Sequence, residues 1–148
     1  MARYFIDTSA LFKRYVDERG SSEVRDILAK RGENLISSLT LVEMVSNFRR
    51  LVDVDRLISQ EDFERLMATL MGDIAEGVIE VVEVSMTDIL KSIDLLSTRY
   101  ITPVDAVQLS MAHNLGEDVL FVCGDRKLAR MAREERLSVL DPTSPEVS

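Results

Sequence analysis

The chain has 148 residues, 46% of them hydrophobic and 30% charged, which fits one globular domain spanning 1–148 and excludes a disordered chain. No apolar run nears the roughly 18 residues of a membrane span, and Asp7 interrupts the first apolar run before a secretory signal could form. The net charge of −8 excludes a generic nucleic-acid binder, because phosphate contacts need a positive face; such a role would require local basic residues or a bound cation.

Taken in chain order, RYFID (3–7) reads as a strand and 8–17 and 22–31 as helices. NLIS (34–37) reads as a strand followed by helices over 39–52 and 59–76. VIEVVEV (78–84) is the third strand, with helices over 87–98 and 103–115. VLFVC (119–123) is the fourth strand, 126–135 a helix, and LSVL (137–140) a fifth strand. The tail DPTSPEVS (141–148) reads as frayed. Strands alternating with helices of this length indicate βα units around a parallel sheet. Runs such as VLFV are apolar on both faces, as a sheet covered on both sides requires. Ligands in such sheets bind beyond the carboxyl ends of the strands, and Asp7 stands at one such end.

Three more carboxylates have similar addresses. Glu43 follows the second strand just inside a helix, Asp105 lies in the first turn of the helix over 103–115, and Asp125 follows the fourth strand. Each has an ordinary explanation. Thr40-x-x-Glu43 spells a capping box, Thr102-Pro103-Val104-Asp105 gives a cap, an N1 proline and a first-turn acid, and Asp7 and Asp125 are common N-cap types. Asp105 fits that explanation least, since its helix is apolar nearly all round and a carboxylate entering buried surroundings needs a partner or a cation. Converging first turns would also crowd the four acids, which raised pKa values or a bound cation would relieve. All-oxygen donors suit Mg²⁺ or Mn²⁺, whereas Zn²⁺ prefers His and Cys. The single His113 has no ligand partner in the pattern, and Cys123 reads as a buried structural thiol that suits a reducing, cytoplasmic setting. Carboxylates holding such an ion can activate water against a phosphodiester, which is the chemistry of a nuclease.

The segments YFIDTSALFKRY, SSLTLVEMVSNFRR, TPVDAVQLSMA and VLFVCGDRKLARMA…LSVLDP, over residues 3–142, resemble the four signature blocks of PIN-domain ribonucleases. Size and the lack of other domains resemble the VapC-type toxin branch. The resemblance implies a three-layer, Rossmann-like α/β fold with a parallel sheet of about five strands flanked by helices. It implies an acidic site of Asp7, Glu43, Asp105 and Asp125, supported by Ser9, that binds Mg²⁺ or Mn²⁺ as substitute and cleaves RNA. It also implies a homodimer and a small cognate antitoxin. The chain departs from the family at Cys123, where a Thr or Ser is usual two residues before the last aspartate.

Basic residues cluster at Lys13 and Arg14, at Arg49 and Arg50, and at Arg126, Lys127 and Arg130; Arg126 and Lys127 adjoin Asp125 and are the candidates for phosphate contact. The segment 51–77 carries Leu57, Phe63, Leu66, Met67, Leu70, Met71 and Ile74 at helical spacing, expected to be mainly core with a partly exposed, Met-rich stripe for a partner. Two other readings are open: a housekeeping RNA-processing nuclease, and a receiver-like phosphoacceptor domain, to which LVDVD ending on Asp53 or Asp55 gives some footing. Against the latter, Asp7 is followed by Thr8 and Ser9, where paired acids are wanted.

Overall fold

The computed structural model describes residues 2–30 and 32–147. Strand β1 (Ala2–Ile6) leads into α1 (Thr8–Tyr15) and α2 (Ser21–Ala29), and β2 (Gly32–Ser37) into α3 (Ser38–Asp53) and α4 (Gln60–Ala75). β3 (Glu80–Val82) precedes α5 (Met86–Leu96) and α6 (Pro103–Leu115). β4 (Val119–Val122), α7 (Arg126–Glu134), β5 (Ser138–Asp141) and β6 (Ser144–Val147) complete the order. The strands make one sheet, β3-β2-β1-β4-β5-β6, in which β1 to β5 are parallel and β6 is antiparallel to β5.

Side chains alternate across a strand, and here both sides are covered. Phe5, Leu35, Phe121 and Val139 pack with α6 and α7, while the next residues, Ile6, Ile36, Val122 and Leu140, pack with α1 to α4. That two-sided burial explains the unbroken apolar runs in the sequence. The first two crossovers step outward from β1 to β2 and β3, and the third returns to β4 on the other side of β1. The strand order therefore reverses between β1 and β4, where the carboxyl ends leave a crevice. Asp7 closes β1 at that crevice.

Helix starts follow their caps. Asp7, Ser37 and Asp125 accept from the N–H of Ser9, Leu39 and Leu128, and Ser59/Asp62 and Ser85/Asp88 form capping boxes.

Three details differ from the sequence expectation. β3 is shorter because the N–H groups of Val78 and Ile79 bond the Asp73 carbonyl at the end of α4 instead of joining the ladder. The tail does not simply fray: Asp141 belongs to β5 and Ser144–Val147 form the edge strand β6. Its turn is tied by the Asp141 carboxylate, which accepts from Thr143 N at 2.9 Å and Oγ1 at 2.6 Å, a common role for Asp in turns. The stretch LVDVD ends helix α3 rather than a strand, Asp53 pairs with Arg49 at 2.7 Å and Asp55 lies 3.9 Å from Arg50, so no strand-end phosphoacceptor exists there. The segment 51–77 is mainly core, as expected: Phe63, Leu66, Met67, Leu70 and Ile74 are core or packed against it, and Leu57 and Met71 are exposed. Arg31, the end of an expected helix, and Ser148 in the tail lie outside the described residues.

The main exposed apolar stripe lies instead on α5. Met86, Ile89, Leu90, Ile93 and Leu96 are exposed, and Tyr100 beyond the helix is 79% exposed. The fully buried residues of α5 are polar, with Leu95 partly buried against the core: Ser92 meets Ser110 of α6 at 3.2 Å and Asp88 accepts from Asn114 at 2.8 Å. No helix among the described residues is long and apolar enough to cross a membrane.

Candidate active site

Asp7 is 5% exposed. Its Oδ2 accepts from the Ser9 hydroxyl at 2.8 Å and the Ser9 N–H at 3.3 Å, and its Oδ1 accepts from Gln108 Nε2 at 3.3 Å. Ser9 Oγ also accepts from Gly124 N at 3.0 Å, so this hydroxyl ties the β1–α1 turn to the β4–α7 turn. Cys123 reaches into the same site. Its Sγ lies 3.9 Å from Asp7 Oδ2, 4.0 Å from Ser9 Oγ and 3.4 Å from the Asp125 carbonyl. Burial, and then the charge of Asp7, push its thiol pKa up, so it stays a neutral packing group and not a nucleophile.

Glu43 has no capping role. The cap of α3 is Ser37, and Glu43 instead accepts at 2.6 Å from the hydroxyl of Thr8 on α1. The Thr8 and Thr40 hydroxyls are 3.2 Å apart, and Thr40 accepts from Gln108 Nε2 at 2.9 Å. Asp105, half-buried in the first turn of α6, and the exposed Asp125, which caps α7 through Leu128 N at 3.0 Å, border a hollow of about 30 Å³ shared with Lys127 and backed by Leu128 and Met131. Asp7 and Asp125 are therefore caps as well as candidate site residues.

The electrostatics show which acids are brought together. Burial pushes the Asp7 carboxyl from 3.8 up to about 6; the Ser9 bonds oppose this, and the charges of Asp105 and Glu43 add to it. Asp105 is raised by burial and by Asp125, against the pull of Thr102 and Lys127. The four acids thus form two overlapping neighbourhoods, Asp7 with Glu43 and Asp105, and Asp105 with Asp125. Among the described residues no three Asp, Glu, His or Cys side chains stand close enough to chelate an ion as they are. The donor set still fits a hard dication: every candidate donor is a carboxylate oxygen, and the mutual repulsion on Asp7 and Asp105 would be relieved by a positive charge.

A carboxyl whose pKa is raised on folding binds a proton that the unfolded chain has lost, so stability falls as pH rises between the two values. Across roughly pH 4 to 6, Asp7 should lower the metal-free protein's unfolding free energy by on the order of 3 kcal/mol. Urea unfolding at several pH values should show this slope in wild type and a shallower one in Asp7→Asn. Equal slopes would contradict the burial of a charged Asp7.

The basic clusters are mostly neutralised. Lys13 pairs with Glu18 at 2.9 Å, Arg14 with Asp73 at 3.2 Å, and Arg49 with Asp53 at 2.7 Å. Among the described residues, Arg126, Lys127 and Arg130 form no salt bridge and are exposed. His113 lies away from the acids, in a cleft with Val119 and Ser138 at the amino ends of β4 and β5. Sequence reading missed Thr8, Thr40 and Gln108. Gln108, a polar residue one turn beyond Asp105 in an apolar helix, carried a usable signal; Thr40 looked like an ordinary cap, and Thr8 was only the neighbour of Asp7.

The PIN domain family model matches residues 4–134. No curated protein matches the sequence significantly. Among solved structures, a toxin–antitoxin complex from Klebsiella pneumoniae is similar at 16% identity and TM-score 0.67, over 95% of this chain and 98% of that one. FitAcB from Neisseria gonorrhoeae is similar at 13% identity and TM-score 0.71, over 94% and 97%. VapBC2 from Rickettsia felis, bound to a DNA fragment from its promoter, is similar at 18% identity and TM-score 0.66, over 93% and 97%. At these identities the likeness is one of fold.

Proposed function

The chain belongs to the PIN domain family, and from that premise we propose that it is a Mg²⁺- or Mn²⁺-dependent endoribonuclease, the toxin of a toxin–antitoxin pair. The observation that carries this reading is Asp7: a buried carboxylate at the reversal of strand order, on which the charges of Glu43 and Asp105 bear. A cation bound there would supply Lewis-acid chemistry, polarising water and offsetting phosphodiester charge. Asp7 and Asp105 are the proposed ligands nearest the crevice, with Glu43 and Asp125 ligating directly or through water. One of these acids orients the attacking water and takes its proton. Ser9 holds Asp7 in place, and the exposed Arg126 and Lys127 at the mouth of α7, which form no salt bridge among the described residues, receive RNA phosphates, locally reversing the overall negative charge.

For partners, the inverted α5, with polar side buried and apolar stripe exposed, offers surface of the kind proteins cover. It accords with an antitoxin and a homodimer.

Purified protein should cleave RNA with Mg²⁺ or Mn²⁺, lose that cleavage in EDTA and regain it when excess metal is restored. Cleavage undiminished in excess chelator would remove the metal-site reading.

A further inference from the structure

Gln108 is fully buried in α6, a helix whose residues 106–112 are all buried. Its amide nitrogen faces two acceptors, Asp7 Oδ1 and Thr40 Oγ1, while its carbonyl oxygen has no partner. Turned over, the amide would set that oxygen against a carboxylate oxygen of Asp7, so a charged Asp7 fixes the orientation seen. The chain of contacts continues. Thr8 has one hydroxyl proton, and Glu43 at 2.6 Å takes it. Thr40 Oγ1 lies 3.2 Å from the same Thr8 hydroxyl and accepts from Gln108 Nε2. Asp7 and Glu43, carried by different elements, are joined through Gln108, Thr40 and Thr8.

We propose that Gln108 is a positioning residue for the acid site, its amide fixing the Asp7 carboxylate and, through Thr40 and Thr8, the rotamer of Glu43. This rests on reading those acids as a cation site. A packing role alone would be served as well by an apolar side chain of similar length, which would leave no buried carbonyl unpartnered. Groups that orient a metal ligand typically change affinity or activity about 10–100-fold when removed.

The test is calorimetric Mn²⁺ titration of wild type, Gln108→Met, Thr40→Val and the double variant, with melting temperatures measured without metal. Gln108→Met should weaken Mn²⁺ binding about 10-fold or more, and saturating Mn²⁺ should restore much of the RNA cleavage. Thr40→Val should weaken binding too, and the double variant should be little worse than Gln108→Met, because the two act in one chain. Mn²⁺ binding by Gln108→Met equal to that of wild type overturns the proposal, as does a loss that merely tracks a fall in metal-free melting temperature. Wild type that binds no Mn²⁺ overturns the cation-site reading itself, a distinguishable failure.

Discussion

Asp7→Asn should cut RNA at least about 10²-fold more slowly than wild type while melting, without metal, no lower than wild type at neutral pH. Asparagine caps helices about as well as aspartate, so α1 keeps its start. The lost charge relieves repulsion from Glu43 and Asp105 and removes the cost of burying a carboxylate. Gln108 can turn its amide over to accept from the new NH₂, giving its unpartnered oxygen a donor. A neutral amide is a poor ligand for a hard dication, so activity goes while the fold stays. Asp7→Ala separates the roles further, since it also removes the cap and should lower stability by about 1 kcal/mol relative to Asp7→Asn. RNA cleavage and melting curves on the three proteins read both effects. Cleavage by Asp7→Asn at the wild-type rate would reduce Asp7 to a helix cap.

Phe121→Ala should have the largest effect on the fold, about 3–5 kcal/mol out of a total near 5–15 kcal/mol for a domain. Phe121 is fully buried in β4 and lies directly across the ladder from Phe5, their rings 6.0 Å apart and 26° from parallel. The two rings sit on the face covered by α6 and α7, between strands on both sides, so the surroundings cannot collapse into the space. β4 also delivers Cys123 and Gly124 to the crevice, so the loss should loosen the Ser9 tie. Urea unfolding measures it directly. A loss below about 1 kcal/mol would mean that the sheet is not packed as described.

Much of this was legible in the sequence because both signals are local. Short apolar runs such as VLFV, alternating with helical patterns, read as strands covered on two faces, and Asp7, Asp105 and Asp125 stand beside strand ends or helix starts. Pairings across the chain were less visible. Thr40-x-x-Glu43 has capping-box spacing, yet the helix begins earlier, at Ser38, which frees Glu43 for Thr8, 35 residues away. The α5 stripe was equally hidden, since periodicity shows that a helix has an apolar side but not that Ser92 and Ser110 hold the other side inward. The edge strand β6 eluded the reading because a Pro-containing tail of mixed polarity lacks a strand's alternation, and its pairing with β5 depends on the Asp141–Thr143 turn.

The most direct measurement of the central claim, that acids from the β1–α1 turn, α3 and α6 converge on one cation, is calorimetric titration of the wild-type protein and Asp7→Asn with Mn²⁺ at neutral pH. The account predicts a saturable site in wild type that is lost in Asp7→Asn. Identical isotherms for the two, or no saturable binding in wild type up to millimolar Mn²⁺, would contradict it.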